Sequence, residues 1–398
     1  MSKRIVRFIS IGLTVAMLAG LTAGCGNSTA SDDANESVSG DVVEDAVEAP
    51  EIPGLDYESR EELAYATQFD IFYYSDGYQL IDVHGDRQYL LVPEGMEAPE
   101  GLDESIIVLY KPLDRIYLAA TATMALFNAI DALDNITLAG TKASGWYIEA
   151  AADAMNEGKI QFAGKYSEPD YELLVDEDCD LALESTMILH TPKVQEMIEN
   201  LGIPMFIDRS SYETNPLGRT EWIKVYGAMT DKMDEACSFF DEQAKVMDEM
   251  EDQEDTGLTV AFFYLNSDGT VVVRASEDYI PTMIKIAGGE YIFEDIKNEE
   301  STSKSVELTM EEFYAAAIDA DYLVYNASID SELDSIEALI QKDELFKDFK
   351  AVQDGNVYCT TKYLYQATDT VAQLILDFNQ MLTTDDDSDM TFLYKLSE

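Results

Sequence analysis

From about residue 105 the chain alternates short apolar runs with amphipathic helical runs, and a single long helical run interrupts that alternation. The strand-like runs are residues 116–120, 136–140, 160–163, 181–184 and 203–208, then 258–264, 270–274, 321–325 and 356–360. Short apolar strands separated by helices require a sheet that is mostly parallel and covered by helices on its faces. The interruption spans residues 231–252, where Met233, Ala236, Cys237, Phe240, Ala244 and Met247 recur at helical spacing behind Thr230, a capping residue type. About 22 residues at 1.5 Å each make a strut of roughly 33 Å. The expected fold class is therefore α/β: two Rossmann-like lobes with mostly parallel sheets, joined by one long α-helix, with a cleft between the lobes.

Ahead of the alternation the pattern is β-rich. Residues 69–74 and 78–83 flank Ser75-Asp-Gly77, a turn signal, and 88–92 form a third run ended by Pro93. Charge narrows the function: 79 acidic against 25 basic residues give a net charge of -54, a field that repels nucleic acid. Cys179, Cys237 and Cys359 are odd in number and widely spaced, so they read as buried apolar residues and form no disulfide framework. Two histidines, His84 and His190, are too few for a histidine-rich metal site, and no metal ligands are assigned. The chain lacks G-x-S-x-G, H-E-x-x-H and a P-loop, so no catalytic residue is assigned and the chain reads as a non-enzyme. An extracytoplasmic hydrolase is the alternative of a different class, since paired carboxylates are abundant.

The first residues carry an address. Lys3, Arg4 and Arg7 precede an apolar run from Phe8 to Leu21, too short for a lasting membrane span and fit for a secretory signal over 1–24. Leu21-Thr-Ala-Gly-Cys25 resembles the lipobox of bacterial lipoproteins, which implies an acylated Cys25 at the outer face of the cytoplasmic membrane. Residues 25–55 are acidic, poor in aromatics and aperiodic, and read as a disordered tether. The remaining ~345 residues exceed the usual size of one core. They divide into a β-rich start and first lobe (56–217), a linking-helix region (218–253), a second lobe (254–385) and an acidic C-terminal tail (386–398).

Four stretches carry a family resemblance. They are Gly164-Lys-Tyr-Ser-Glu-Pro-Asp-Tyr-Glu-Leu-Leu174 with Asp180-Leu-Ala-Leu183; Leu201-Gly-Ile-Pro204; Gly218-Arg-Thr-Glu-Trp-Ile-Lys-Val-Tyr-Gly227 through Asp234-Glu-Ala236; and Ala287-Gly-Gly-Glu-Tyr-Ile-Phe293 followed by Leu308-Thr-Met-Glu-Glu312. In order and spacing they resemble the substrate-binding lipoproteins of ABC importers, in the group with a rigid linking helix that serves iron–siderophore and cobalamin uptake. The resemblance implies a monomeric receptor that captures an iron–siderophore-type chelate, needs no cofactor of its own, and delivers its cargo to a permease dimer. Corrinoid and haem are the alternative cargoes. It also implies that Glu172 and Glu311 dock on permease arginines, with Glu312 the neighbouring candidate.

Ligands of open parallel sheets bind beyond the carboxyl ends of the strands. The loops there hold Trp146, Tyr147, Tyr166, Tyr279, Tyr325, Tyr363 and Tyr365, suited to a large and partly apolar ligand. They also hold Lys142, Arg209, Arg274 and Lys362, scarce cations that suit an anionic one. These eleven residues are the expected ligand-binding set.

Overall fold

The computed structural model describes residues 48–250, 253–298, 304–384, 386 and 388–397. The expected signal segment 1–24, the lipidation site Cys25 and the tether as far as residue 47 lie outside the described residues.

The β-rich start forms a five-stranded sheet of Tyr57–Arg60, Phe69–Tyr74, Gln79–Val83, Gln88–Val92 and Ile106–Tyr110, side by side in chain order. Its last pair is parallel and the others antiparallel. Both faces are apolar: Phe69, Ile71, Ile81, Val83, Tyr89 and Leu91 join the main core, while Phe72, Tyr74, Leu80, Leu90 and Val92 form a second cluster with Ile52. That outer face needs a cover, and the end of the expected tether supplies one. Ile52 is 2% exposed, and the Tyr74 hydroxyl donates to the Pro50 carbonyl.

The first lobe is built on a parallel sheet in the spatial order Met205–Asp208, Leu181–Ser185, Ile116–Leu118, Ile136–Ala139, Gln161–Phe162. The second lobe is mixed. Thr259–Leu265, Tyr322–Tyr325 and Val357–Thr360 run parallel, and antiparallel strands Val271–Arg274, Ser305–Leu308 and Leu393–Lys395 extend its edges. Residues 393–395, expected in a frayed tail, are thus the last strand. The fully buried carboxylate of Asp377 accepts the N–H groups of Thr391 and Leu393 (3.1 and 3.0 Å), which fixes the turn into that strand.

The lobes are joined by Met233–Met250, 18 residues. At 1.5 Å per residue that helix spans about 27 Å. It packs through Ala236 and Phe240, with Met233, Ala244, Met247 and Met250 beside the core. Thr230 does not cap it: its hydroxyl donates to the Tyr226 carbonyl at 2.7 Å, and Asp231 at φ 57° closes the preceding helix Ile223–Thr230. The corner is tight because a Cβ on Gly227 would stand 2.8 Å from Ala236 Cβ and 3.0 Å from the Lys232 carbonyl, so only glycine fits. Lys111 Nζ pins the corner, reaching Asp231 Oδ1 at 2.6 Å and the Ala228 carbonyl at 3.1 Å.

Two buried glutamates tie the first sheet to the hinge helices Pro216–Glu221 and Ile223–Thr230. Glu221 accepts the N–H groups of Ala64, Tyr65 and Ala66, each at 2.8 Å. Glu213 accepts those of Thr67 (2.9 Å) and Gln68 (3.0 Å) and the Trp222 indole N–H (3.0 Å).

Candidate functional site

Turns beyond the carboxyl ends of three strands converge on a cavity of about 510 Å³ between the lobes. The first lobe lines it with Thr186, Met187, Leu189, His190, Ser211, Tyr212 and Arg219, the second with Arg274, Asp278, Tyr279, Lys304 and Ser305. Local hydrogen bonds set these turns. The Ser185 hydroxyl accepts the Met187 N–H at 3.4 Å, and Asp208 accepts the Ser210 hydroxyl at 2.6 Å and the Tyr226 hydroxyl. Burial pushes the Asp208 carboxyl up, against the hydrogen bonds of Ser210 and Tyr226 and the charge of Arg219. In the second lobe Asp278 caps the helix Tyr279–Ile286 by accepting the Ile280 N–H at 2.9 Å.

Among the described residues, Arg219, Arg274 and Lys304 bring positive charge to this cavity. Arg219, from a hinge helix, lies over the Tyr279 ring of the other lobe at 4.1 Å, and its Nε is buried without a hydrogen-bond partner. Arg274 donates to Ser305 Oγ at 3.2 Å and stands 3.9 Å from Asp278. Burial works against its charge, but Asp278 and the phenols of Tyr279, Tyr264 and Tyr291 raise the Arg274 pKa above the ordinary arginine value. Lys304 is held by Glu277 at 3.5 Å. Asp278 is the only carboxylate among the described lining residues. Met187 and Leu189, 47% and 42% exposed, add an apolar lip.

Of the expected ligand set, Arg274 and Tyr279 line this cavity and the rest do not. Trp146 and Tyr325 are core residues, 6% and 0% exposed: the Trp146 indole donates to Met155 Sδ at 3.1 Å, and the Tyr325 hydroxyl to Asp330 at 2.6 Å. Arg209 turns to the first sheet, 3.6 Å from Asp86 and over the Tyr212 ring at 5.6 Å. Lys142 is exposed above the Phe162 ring, Lys362 is exposed, and Tyr166 is half-buried in the turn of a two-residue hairpin. Sequence reasoning missed Arg219, Lys304 and Tyr212. Arg219 sits inside the stretch Gly218–Gly227 singled out above, so its basic charge was the available signal.

The lobes also meet at a second place. The Tyr147 N–H donates to Gln366 Oε1 (2.8 Å), Gln366 Nε2 to the Gly145 carbonyl (2.7 Å), and the Thr220 hydroxyl to the Thr368 carbonyl (2.8 Å). Beside these bonds lies a smaller cavity of about 200 Å³ that includes Tyr147 and Tyr363, with ring centroids 5.9 Å apart. Tyr365, 40% exposed, accepts a hydrogen bond from Gln366 Nε2 at 2.9 Å.

Glu172 and Glu311 are both exposed, each in the first turn of a helix. Glu312 is engaged: its carboxylate accepts the Thr309 N–H at 2.8 Å, and the Thr309 hydroxyl oxygen in turn accepts the Glu312 N–H at 3.2 Å, closing a capping box. Those Thr309 bonds lower the Glu312 pKa.

A family model described as periplasmic binding protein matches residues 117–364, so the five-stranded sheet precedes the match. An uncharacterised lipoprotein of Methanocaldococcus jannaschii is 26% identical over 338 residues, covering 76% of this chain and 77% of the relative. Two solved structures share the fold. One is an ABC-type Fe3+-hydroxamate transport-system protein of Saccharomonospora viridis (TM-score 0.54, 17% identity, 69% of this chain, 94% of that one). The other is a periplasmic heme-binding protein of Pseudomonas aeruginosa (TM-score 0.53, 13% identity, 72% of this chain, 98% of that one).

Proposed function

Since the chain belongs to the periplasmic binding protein family and is a solute-binding protein of ABC transport rather than an enzyme, we propose that it captures an anionic iron–siderophore-type chelate between its lobes. The observation that carries this reading is the cationic cavity in a chain of net charge -54, with Arg219, Arg274 and Lys304 against Asp278. Guanidinium groups form the strongest hydrogen bonds to carboxylates and other oxyanions, and a partly desolvated cleft strengthens them. Tyr212, Tyr279 and the Met187–Leu189 lip suit the apolar part of such a chelate. The Saccharomonospora viridis protein supports an iron chelate.

Docking follows the same logic. Glu311, whose neighbour Glu312 is spent on its helix cap, pairs with Glu172 to register the cargo-loaded receptor on an ABC permease by charge-assisted contacts. Cys25 anchors this monomer to the outer face of the membrane, a reading supported by a relative named as a lipoprotein. One observation favours haem as a second reading: His190, one of two histidines in the chain, lines the cavity and offers an axial nitrogen.

Thermal unfolding against ferric siderophores, haem and corrinoids tests the cargo. A ligand at a hundredfold excess over Kd raises stability by about 2.7 kcal/mol. A shift with ferric siderophores alone supports the first reading; a shift with haem that His190→Ala removes supports the second. Unshifted midpoints with all three overturn both.

A further inference from the structure

We propose that the smaller interlobe cavity is a separate binding site for a small organic cation of the alkylammonium class, seated against the rings of Tyr147 and Tyr363 beside the Asp369 carboxylate.

The lining is unlike that of the cargo cavity. Asp369 is the one charged group among its described lining residues, and Tyr147, Tyr363 and Phe392 are its aromatic ones. The Tyr147 and Tyr363 centroids are 5.9 Å apart at 41°, and those of Tyr363 and Phe392 are 5.7 Å apart at 56°. The exposed Tyr147 ring and the half-buried Tyr363 ring leave aromatic surface beside this space, the kind of surface that recognises alkylated ammonium groups. Hydrogen bonds hold two of the walls: the Tyr363 hydroxyl donates to the Thr391 carbonyl at 3.0 Å, and the Tyr147 N–H is fixed by Gln366. Phe392 is 1% exposed and backs the Tyr363 ring from the core. Burial pushes the Asp369 carboxyl up, with Thr370 opposing, and a cation beside it would relieve that cost. The volume of about 200 Å³ equals several waters at about 30 Å³ each, room for a compact ion and too little for a chelate of drug-like size. Tyr147 belongs to the first lobe and Tyr363, Asp369 and Phe392 to the second, so an occupant touches both and favours their contact.

Calorimetric titration of the full-length protein in mild detergent with tetramethylammonium chloride and choline chloride tests the site, with 3,3-dimethylbutan-1-ol as the neutral isostere of choline. Saturable binding of both cations is expected, with the isostere about tenfold weaker or undetectable. Tyr147→Ala and Asp369→Asn should each weaken the cations about tenfold, and Tyr147→Phe should retain binding because it keeps the π face. Tyr147 is 46% exposed, so these Tyr147 variants leave the core intact. No saturable binding, equal binding of choline and its isostere, or a Tyr147→Ala protein that binds as wild type would each overturn the proposal. The cargo reading rests on the other cavity and stands or falls by its own titration.

Discussion

The Arg219 guanidinium stacks on the Tyr279 ring at 4.1 Å, and the two side chains come from opposite sides of the interlobe cavity. The contact exists only while the lobes keep their present separation, and its buried Nε has no partner within the protein. A stacked guanidinium keeps its in-plane donors available, so Arg219 can hold Tyr279 and still offer hydrogen bonds to an oxyanion.

Replacing Arg219 or Arg274 by alanine should therefore lower affinity for an anionic chelate. Hydrogen bonds to charged groups contribute about 1.5–3 kcal/mol, so each change should cost about tenfold or more, read by fluorescence titration. The loss should shrink as salt rises. Wild-type affinity in both variants would remove the cationic cavity from cargo binding.

Glu221→Ala should destabilise the fold far more than a surface change. It leaves three inward N–H donors at Ala64, Tyr65 and Ala66 without their acceptor, and Lys224, 3.1 Å from Glu221, without that partner. Losing partners of buried polar groups costs about 3–5 kcal/mol where a charge is involved, a drop that denaturant unfolding resolves.

Glu184 carries a pH signature. Its side chain is fully buried on the strand Leu181–Ser185, neither oxygen has a hydrogen-bond partner, and burial drives its carboxyl well above the usual range. A folded pKa above the unfolded one means that folding takes up a proton, so this group opposes folding increasingly as pH rises past about 4.3. Glu184→Leu should accordingly raise the thermal midpoint at pH 7, and the gain should fade as pH falls below about 4. A gain independent of pH would show that the carboxyl ionises alike in both states.

Neighbouring glutamates should separate cleanly. Glu312→Ala breaks the capping box and should cost about 1 kcal/mol in unfolding experiments. Glu311→Lys should leave cargo affinity unchanged and cost stability only through the helix dipole, about 1 kcal/mol, while impairing uptake by cells that carry the transporter. Full uptake with Glu311→Lys would discard that docking position.

Much of the architecture follows from periodicity, because strand burial and helix amphipathicity are local properties. The parallel first lobe and the helix Met233–Met250 were readable that way, and the strand-end rule led to Arg274 and Tyr279. Side-chain direction was harder. Tyr325 ends a strand, but it shares a core-facing register with Leu323, and its ring lies edge-on to Phe263. Arg209 finds Asp86, a partner distant in sequence, on a sheet that precedes the family match. The strand Leu393–Lys395 is three residues long behind an acidic run, and only pairing with Val357–Thr360 makes it a strand.

The Glu213–Glu221 clamp also decides where mechanical load goes. A pull applied at Ala49 runs through Pro50, bonded to Tyr74, into the five-stranded sheet. From there residues 64–68 hand it to the two carboxylates beside the hinge. Tension on the amino-terminal side is thus borne by the first lobe and the hinge helices, and the second lobe receives it only through the linking helix and the contacts across the cleft.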